Sequence, residues 1–499
     1  MVDEPESTEA AAVPAEPGET VSHDIPMAEH LKAAIARDWD PAPPMPHPAR
    51  PDGAPYTAKR RGDLSAKFRG QLVVVPSGNL SVRANDTDYA FRASSVFTWL
   101  TGETVEDAVL VLAPAGDGHE ATLYIREYAQ PGEVGYFTNR VHGAVWVGNV
   151  PSVDDTAAAL GMTVRPFAEF RGDLERHRGT TTVLVGGVDR NIDAMLPGAA
   201  SDLLVETIDE LRLVKDDWEL DRLRYACDAT ARGFADVVRE LPNVLGRADI
   251  RGERWLEGTF WRRARLEGND VGYGSIIGGG SHATTLHWWR NNGAIEPGTL
   301  LLADMGIETD ELYTADITRT MPVSGEWSPA QLKVYNAVLE AQNAGIAEVT
   351  VGNDFLAAHR AANYVLAEHL HQWGLLEVTA DVALDRDTER PGAGLHRRWT
   401  LHGTSHMLGI DVHDCAAARD EVYRDGPLVA GYAMTVEPGL YFQVNDRSVP
   451  AELRGIGVRI EDDVVVTDGE PLVLSSALPR DPDEVVAWMR ESQSQPAVP

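Results

Sequence analysis

The chain has 499 residues, with 77 acidic against 44 basic side chains and a formal net charge of −33. That length exceeds one ordinary core, so two or more domains are expected, and an apolar share of 43% is that of a globular protein. The charge balance argues against nucleic acid or an anionic membrane surface as a partner. Two cysteines, Cys227 and Cys415, lie far apart. They make neither a disulfide framework nor a thiolate metal site, and they fit a reducing cytoplasm. No run of 18 apolar residues is present, so no membrane span is expected. The N-terminus lacks a basic stretch followed by an apolar one, so no secretory signal is expected and the expected location is cytoplasmic.

Residues 1–55 are rich in Ala, Pro and Glu, and the first 24 carry acids but no Lys or Arg. Without hydrophobic periodicity they read as a largely disordered acidic tail, with Ala33 to Asp40 as a candidate short helix. Residues 56–210 alternate strand-like and helical runs. Gln71–Pro76, Ala108–Pro114, Ala121–Ile125 and Thr181–Val185 read as strands, which predicts a smaller α/β domain. Its aromatic stretch Tyr89 to Thr101 reads as core.

A boundary falls near Leu211 to Lys215. Asp216 and Glu219 then form the signature of a capping box ahead of a long amphipathic helix with Trp218, Leu220, Leu223 and Ala226 on its apolar side. Ser328-Pro329-Ala330-Gln331 marks a second helix start, with Leu332, Tyr335, Leu339, Ile346 and Val349 on one stripe. Glu377 to Trp399 is polar and rich in Pro and Gly, and reads as a loop insertion, a lid, partner-contact segment or passive excursion. The second domain is expected over 211–490, with 491–499 a C-terminal tail.

The chemistry concentrates in 211–490. The apolar run Leu300 to Leu302 ends on Asp304. After a Gly-containing turn, the run Tyr313 to Met321 places Asp316 on one face with Thr314, Thr318 and Thr320. Two such runs read as a hairpin on which two aspartates converge. Further along come His287, the trio His402, His406 and His413, then Glu437 and Glu461, each flanked by strand-like residues. A buried carboxylate needs a partner. For Glu461, Arg459 on the same face offers an ion pair as the alternative to a metal. Asp304, Asp316, Glu437, Glu461 and one histidine make four carboxylates and one imidazole, and four clustered carboxylates repel one another unless cations sit between them. That oxygen-rich set favours two divalent ions, Mn²⁺ first, with Co²⁺, Fe²⁺ or Zn²⁺ as alternatives. Ions about 3.5–4 Å apart can share one water and lower its pKa from about 15.7 towards 7.

Asp304 with TADITRTMPVSG, then HGTSHMLGIDVHD, TVEPGLY and RGIGVRIEDD, resembles the pita-bread metallopeptidases, in particular the aminopeptidase P or Xaa-Pro aminopeptidase family. RANDTDYAFRASSVFTWLTG resembles that family's N-terminal domain. The resemblance implies an α+β fold, a pita-bread catalytic domain preceded by a smaller α/β domain. It implies a hydrolase that removes the N-terminal residue from peptides with proline second, through a hydroxide bridging two metal ions. A prolidase acting on Xaa-Pro dipeptides, or a non-catalytic pita-bread binding protein, are the competing readings. By the same resemblance Asp304, Asp316, His406, Glu437 and Glu461 would hold the metals, with Asp316 and Glu461 bridging. Glu437 would also shuttle a proton, and His287, His402 and His413 would serve on the substrate side. Tyr441 and Arg459 would steady an aspartate ligand, and a homodimer or homotetramer would be expected. Two departures stand out: the Asp304 to Asp316 gap is one residue longer than usual, and Met305 stands where a smaller residue is common. The acidic tail and the 377–399 loop have no counterpart in the pattern.

Overall fold

The computed structural model describes residues 27–40, 45–47 and 51–495. Most of the expected acidic tail, and residues 496–499, therefore lie outside the described residues. Within the tail segment a short helix does form, at Glu29–Ile35, four residues earlier than the sequence suggests. At the other end the helix Pro482–Ser494, capped by Asp481 and started by Pro482, runs beyond the expected boundary at 490 and buries Met489 and Ser492.

The chain divides into two compact units. The first comprises residues 1–51, 70–97 and 103–200; the second takes 52–69, 98–102 and everything from 201. A single cut near 210 therefore does not separate them. The helix Asp202–Arg212 and the earlier helix Ala54–Lys67 both belong with the second unit.

The first unit is built on a five-stranded mixed sheet. In spatial order its strands are Thr163–Pro166, Gly118–Ile125, Val109–Ala115, Leu72–Pro76 and Thr182–Leu184. The outer pairs are parallel and the inner pairs antiparallel. Leu72, Val74, Val109, Val111 and Tyr124 pack with Phe170, Leu184 and Ile192 as its core. The strand Thr163–Pro166 escapes the sequence reading because only Val164 of its four side chains is buried.

In the second unit both expected capping boxes are present. Asp216 and Glu219 open the helix Asp217–Val244; Ser328 and Gln331 open the helix Pro329–Ala347. The first of these packs on the helix Gly252–Glu267 so closely that a Cβ on Gly233 would lie 2.6 Å from the Phe260 ring. The second buries Val334, Tyr335, Val338, Ala341, Gln342 and Gly345, whereas Leu332, Leu339 and Ile346 of the expected stripe are half-buried. The shift has a polar cause: Gln342 turns inward and donates from Nε2 to Asp462 Oδ2 at 2.8 Å.

Three antiparallel strands, Ile317–Pro322, Leu300–Met305 and Ile276–Gly279, carry the expected hairpin, with Asp304 opposite Thr318. Asp316 stands just before its strand rather than within it. The intervening residues are occupied otherwise: Ile307–Glu308 pairs with Asp270–Val271, and Leu312 adopts φ +69°. Two further short ladders follow, Ala433–Val436 with Asp462–Val465 and Gly439–Tyr441 with Gly457–Arg459. They are parts of one interrupted pairing. The break falls at Glu437-Pro438 on one side and Ile460-Glu461 on the other. Pro438 has no N–H to donate to a ladder, and both glutamates sit at the break. The 377–399 segment is not loop throughout: it holds the helix Ala380–Ala383 and the 3₁₀ turn Leu395–Arg398. No helix among the described residues is long and apolar enough to cross a membrane.

Candidate metal centre

The interrupted ladder and the hairpin bring their carboxylates to one place. Asp304, Asp316, Glu437 and Glu461 line a cavity of about 490 Å³ together with His287, His402, His406, His413 and Arg459. Tyr441 stands behind, donating from its hydroxyl to His402. Every side chain the sequence singles out for the site is thus gathered within the second unit.

Donor atoms of Asp316, His406 and Glu461 lie within 4.8 Å of one another. His406 Nε2 is 3.3 Å from Asp316 Oδ2 and 3.7 Å from Glu437 Oε1. Its Nδ1 meets the Met407 carbonyl at 3.1 Å, the contact that leaves Nε2 free as a ligand atom. Backbone contacts fix the glutamates: Glu437 N donates to Thr404 O at 2.8 Å and Glu461 N to Thr318 O at 3.1 Å. Arg459 donates to Asp304 Oδ2 at 2.5 Å and to the Tyr441 hydroxyl at 3.1 Å. Arg459 Nε also donates to Thr318 Oγ1, which itself donates to Glu461 Oε2 at 2.6 Å.

The electrostatics are those of a site short of positive charge. Burial raises the pKa of Asp304, with Arg459 opposing and Asp316 adding to the rise. Burial, then the neighbouring Asp316, Glu437 and Asp304, push Glu461 well up. Glu437 is pushed up to about 7, chiefly by burial. Burial pulls His406 down, but Asp316 and Glu437 outweigh it and carry the ring to about 9. Glu461 Oε1 is buried with no hydrogen-bond partner. Buried like charges and an orphaned carboxylate oxygen are what cations relieve. Four carboxylates and one imidazole therefore fit divalent metal ions.

The histidines separate into two kinds. Burial and Arg459 lower His402 to about 4, so its ring is neutral. Nδ1 then donates to the Gly403 carbonyl at 2.7 Å, and Nε2 accepts from Tyr441 at 2.8 Å. His287 stacks on Trp289 at 5.2 Å, and His413 stands edge-on to His406 at 4.4 Å. The indole lining the cavity is Trp289. Its neighbour Trp288 donates to Glu253 and stacks on His282.

Several residues at the site have no sequence signal. Tyr273 lines the cavity and its hydroxyl meets Asp304 Oδ1 at 2.6 Å and Asp316 Oδ1 at 2.5 Å. Its position in Gly272-Tyr273-Gly274 reads only as a turn. Asp463, behind the cavity, accepts from the Asp316 N–H at 3.1 Å. Thr318 shares the Asp316 face in the sequence pattern, but only the fold brings it to Glu461.

Fold and donor set define a pita-bread metallopeptidase. The chain belongs to metallopeptidase family M24, whose model matches residues 221–468, and it carries an aminopeptidase P N-terminal domain over 57–184. Xaa-Pro aminopeptidase 1 of Streptomyces coelicolor is 50% identical over 440 residues, covering 87% of each chain. Xaa-Pro aminopeptidase 2 of the same organism is 47% identical over 467 residues, 93% of this chain and 96% of the relative. The solved structure of Escherichia coli aminopeptidase P with the inhibitor Pro-Leu matches with a TM-score of 0.76 at 26% identity, covering 89% of this chain and 99% of that one.

Proposed function

We propose that this chain removes the N-terminal residue from peptides whose second residue is proline. The observation that carries the reading is the single cavity where the buried Asp304, Asp316 and Glu461, the half-buried Glu437 and His406 face His287 and His413. Asp304, Asp316, His406, Glu437 and Glu461 would hold two divalent ions, with Asp316 and Glu461 shared and Mn²⁺ the preferred metal. When bound, the ions supply a nucleophilic water at neutral pH and a Lewis acid for the scissile carbonyl.

The chain's own groups do the rest. The departing proline nitrogen must gain a proton, and Glu437 at the cavity wall delivers it. Both nitrogens of His402 are engaged, by Gly403 and Tyr441. Stabilising the developing oxyanion therefore falls to His287 and His413, whose rings make no hydrogen bond among the described residues. His402 instead extends a line from Arg459 through Tyr441 that keeps the Asp304 side of the site in register. A cytoplasmic homodimer or homotetramer is the proposed working form.

The test is hydrolysis of a Xaa-Pro tripeptide after chelation, with and without added Mn²⁺. Activity is expected only with metal; undiminished turnover in chelator would overturn the reading. A Xaa-Pro dipeptide in the same assay separates an aminopeptidase, which prefers the tripeptide, from a prolidase.

A further inference from the structure

Beside the metal centre lies a second cavity, of about 980 Å³, to which the reaction above gives no task. The two cavities share His402, Gly403 and Ser405. His402 Nδ1 is 3.6 Å from Glu437 Oε2 on one side. Thr404 N lies 3.3 Å from Nδ1 of His359, a residue of the second cavity only. One short loop thus partitions them. Its Gly403 is exposed, and a Cβ there would meet nothing within 4 Å, so the crest between the cavities is low and open.

The second cavity draws part of its wall from the 377–399 segment. That wall is unusual in a chain of net charge −33. Arg386 and Arg397 line it, both exposed, with no carboxylate at ion-pair distance among the described residues. The acids nearby are mostly spoken for: Asp354 is held by Arg360 at 2.9 and 2.7 Å, and Asp385 pairs with Arg390. Asp425 and Arg424 also line the cavity, and Arg424 Nε lies 3.8 Å from Asp420. Deeper in, Nδ1 of His396 and Oγ1 of Thr400 are buried without a hydrogen-bond partner. Such atoms are costly to leave unmet. Burial holds His359 and His396 below the ordinary histidine range, so both offer neutral polar atoms and the cations here are the arginines.

We propose that this cavity is the downstream subsite for longer peptide substrates, with the chain beyond proline crossing Gly403 and its C-terminal carboxylate settling on Arg386 and Arg397. The inference rests on the peptidase reading above. A peptide presents donors and acceptors at each residue, which suits His396 and Thr400. A terminal carboxylate suits guanidinium forks; Arg386 acts on Asp354 only beyond ion-pair distance, and two arginines outside any close ion pair matter more in a chain of net charge −33.

The test uses the full chain, metal-loaded, on peptides sharing one N-terminal Xaa-Pro pair: a tripeptide, a set extended to roughly ten residues, and the same extended set amidated at the C-terminus. Extended peptides at about 3.3–3.6 Å per residue sample the reach across the crest. In the wild type, at least one extended peptide with a free carboxylate is expected to show a lower KM than its amide. Arg386→Ala with Arg397→Ala should raise that KM about tenfold, the loss of a charge-assisted contact at an exposed site. The kcat and the KM values of the tripeptide and amides should stay within twofold. Equal KM for every acid and its amide overturns the proposal, as does a variant effect equal across all substrates. Absence of wild-type turnover on every peptide overturns the peptidase reading instead. Both arginines are exposed, so the variant should melt at the wild-type temperature, and the acid-versus-amide comparison needs no variant.

Discussion

Asp414 is fully buried beside His413, yet its pKa lies well below the carboxylate range. Burial alone would raise it; Arg212 and Lys215 overrule burial. Arg212 donates to Asp414 Oδ1 at 2.5 Å and Lys215 Nζ to Oδ2 at 2.9 Å, while Arg212 also reaches Asp411 and Asp209. The group therefore locks the turn that presents His413. Asp414→Asn leaves two buried cations short of their counter-charge. It should cost about 3–5 kcal/mol in denaturant unfolding at pH 7. The sign with pH follows from the depressed value: the stabilisation is complete above the unfolded pKa of about 3.9 and fades as pH falls below it. The Asn variant should lack that part of the acid loss; an unchanged acid profile would refute the assignment. At His406 the sign is reversed. In the metal-free chain its ring, at about 9, is protonated at neutral pH, and a metal must displace that proton. Metal uptake at pH 7 should release protons and weaken as pH falls. Titration calorimetry in two buffers of different ionisation enthalpy measures the release, and buffer-independent heats would contradict it.

The elements carry the same logic over longer distances. The segment 279–293, which presents His287, hangs on one carboxylate. Glu253, fully buried on the helix Gly252–Glu267, accepts from Gly279 N at 2.9 Å, Trp288 Nε1 at 2.8 Å and Gly293 N at 2.6 Å, and meets His282 Nδ1 at 2.6 Å. Glu253→Ala orphans these groups. It should lower stability by about 3 kcal/mol and reduce kcat through misplaced His287; a variant with wild-type melting and rate would show the brace to be idle. None of this is legible in the chain, where Glu253 reads as an ordinary acid in a first helical turn. What was legible were features with local causes: both capping boxes, four of the five sheet strands, and the paired runs around Asp304 and Asp316. The five donors were legible as residue types near strand ends, but their convergence depends on the break at Pro438 and Glu461. Tyr273, Asp463 and Glu253 act through partners at least ten residues away in sequence, with no period or spacing to announce them.

For the whole molecule the informative question is where the N-terminus can be cut. Composition alone treats residues 1–55 as one passive segment. The described part of it is engaged with the first unit: Trp39 packs against Tyr136 at 5.5 Å and Phe137 at 6.0 Å, and His47 meets the buried Glu103 at 2.7 Å. Beyond it, Gly53 approaches Trp218 in the second unit so closely that a Cβ would lie 3.0 Å from the ring. Two truncations then separate cleanly. Removing residues 1–26 takes away acids and no described contact, and should leave both melting temperature and kcat/KM unchanged. Removing 1–50 deletes Trp39 and His47. Aromatic pairs are worth about 0.5–1.5 kcal/mol each, so the first unit should melt several degrees lower. The donors and histidines all lie in the second unit, so kcat/KM of the chain that remains folded should hold within about twofold. A rate loss without a melting shift in the longer truncation would mean that residues 27–50 act on the peptide itself.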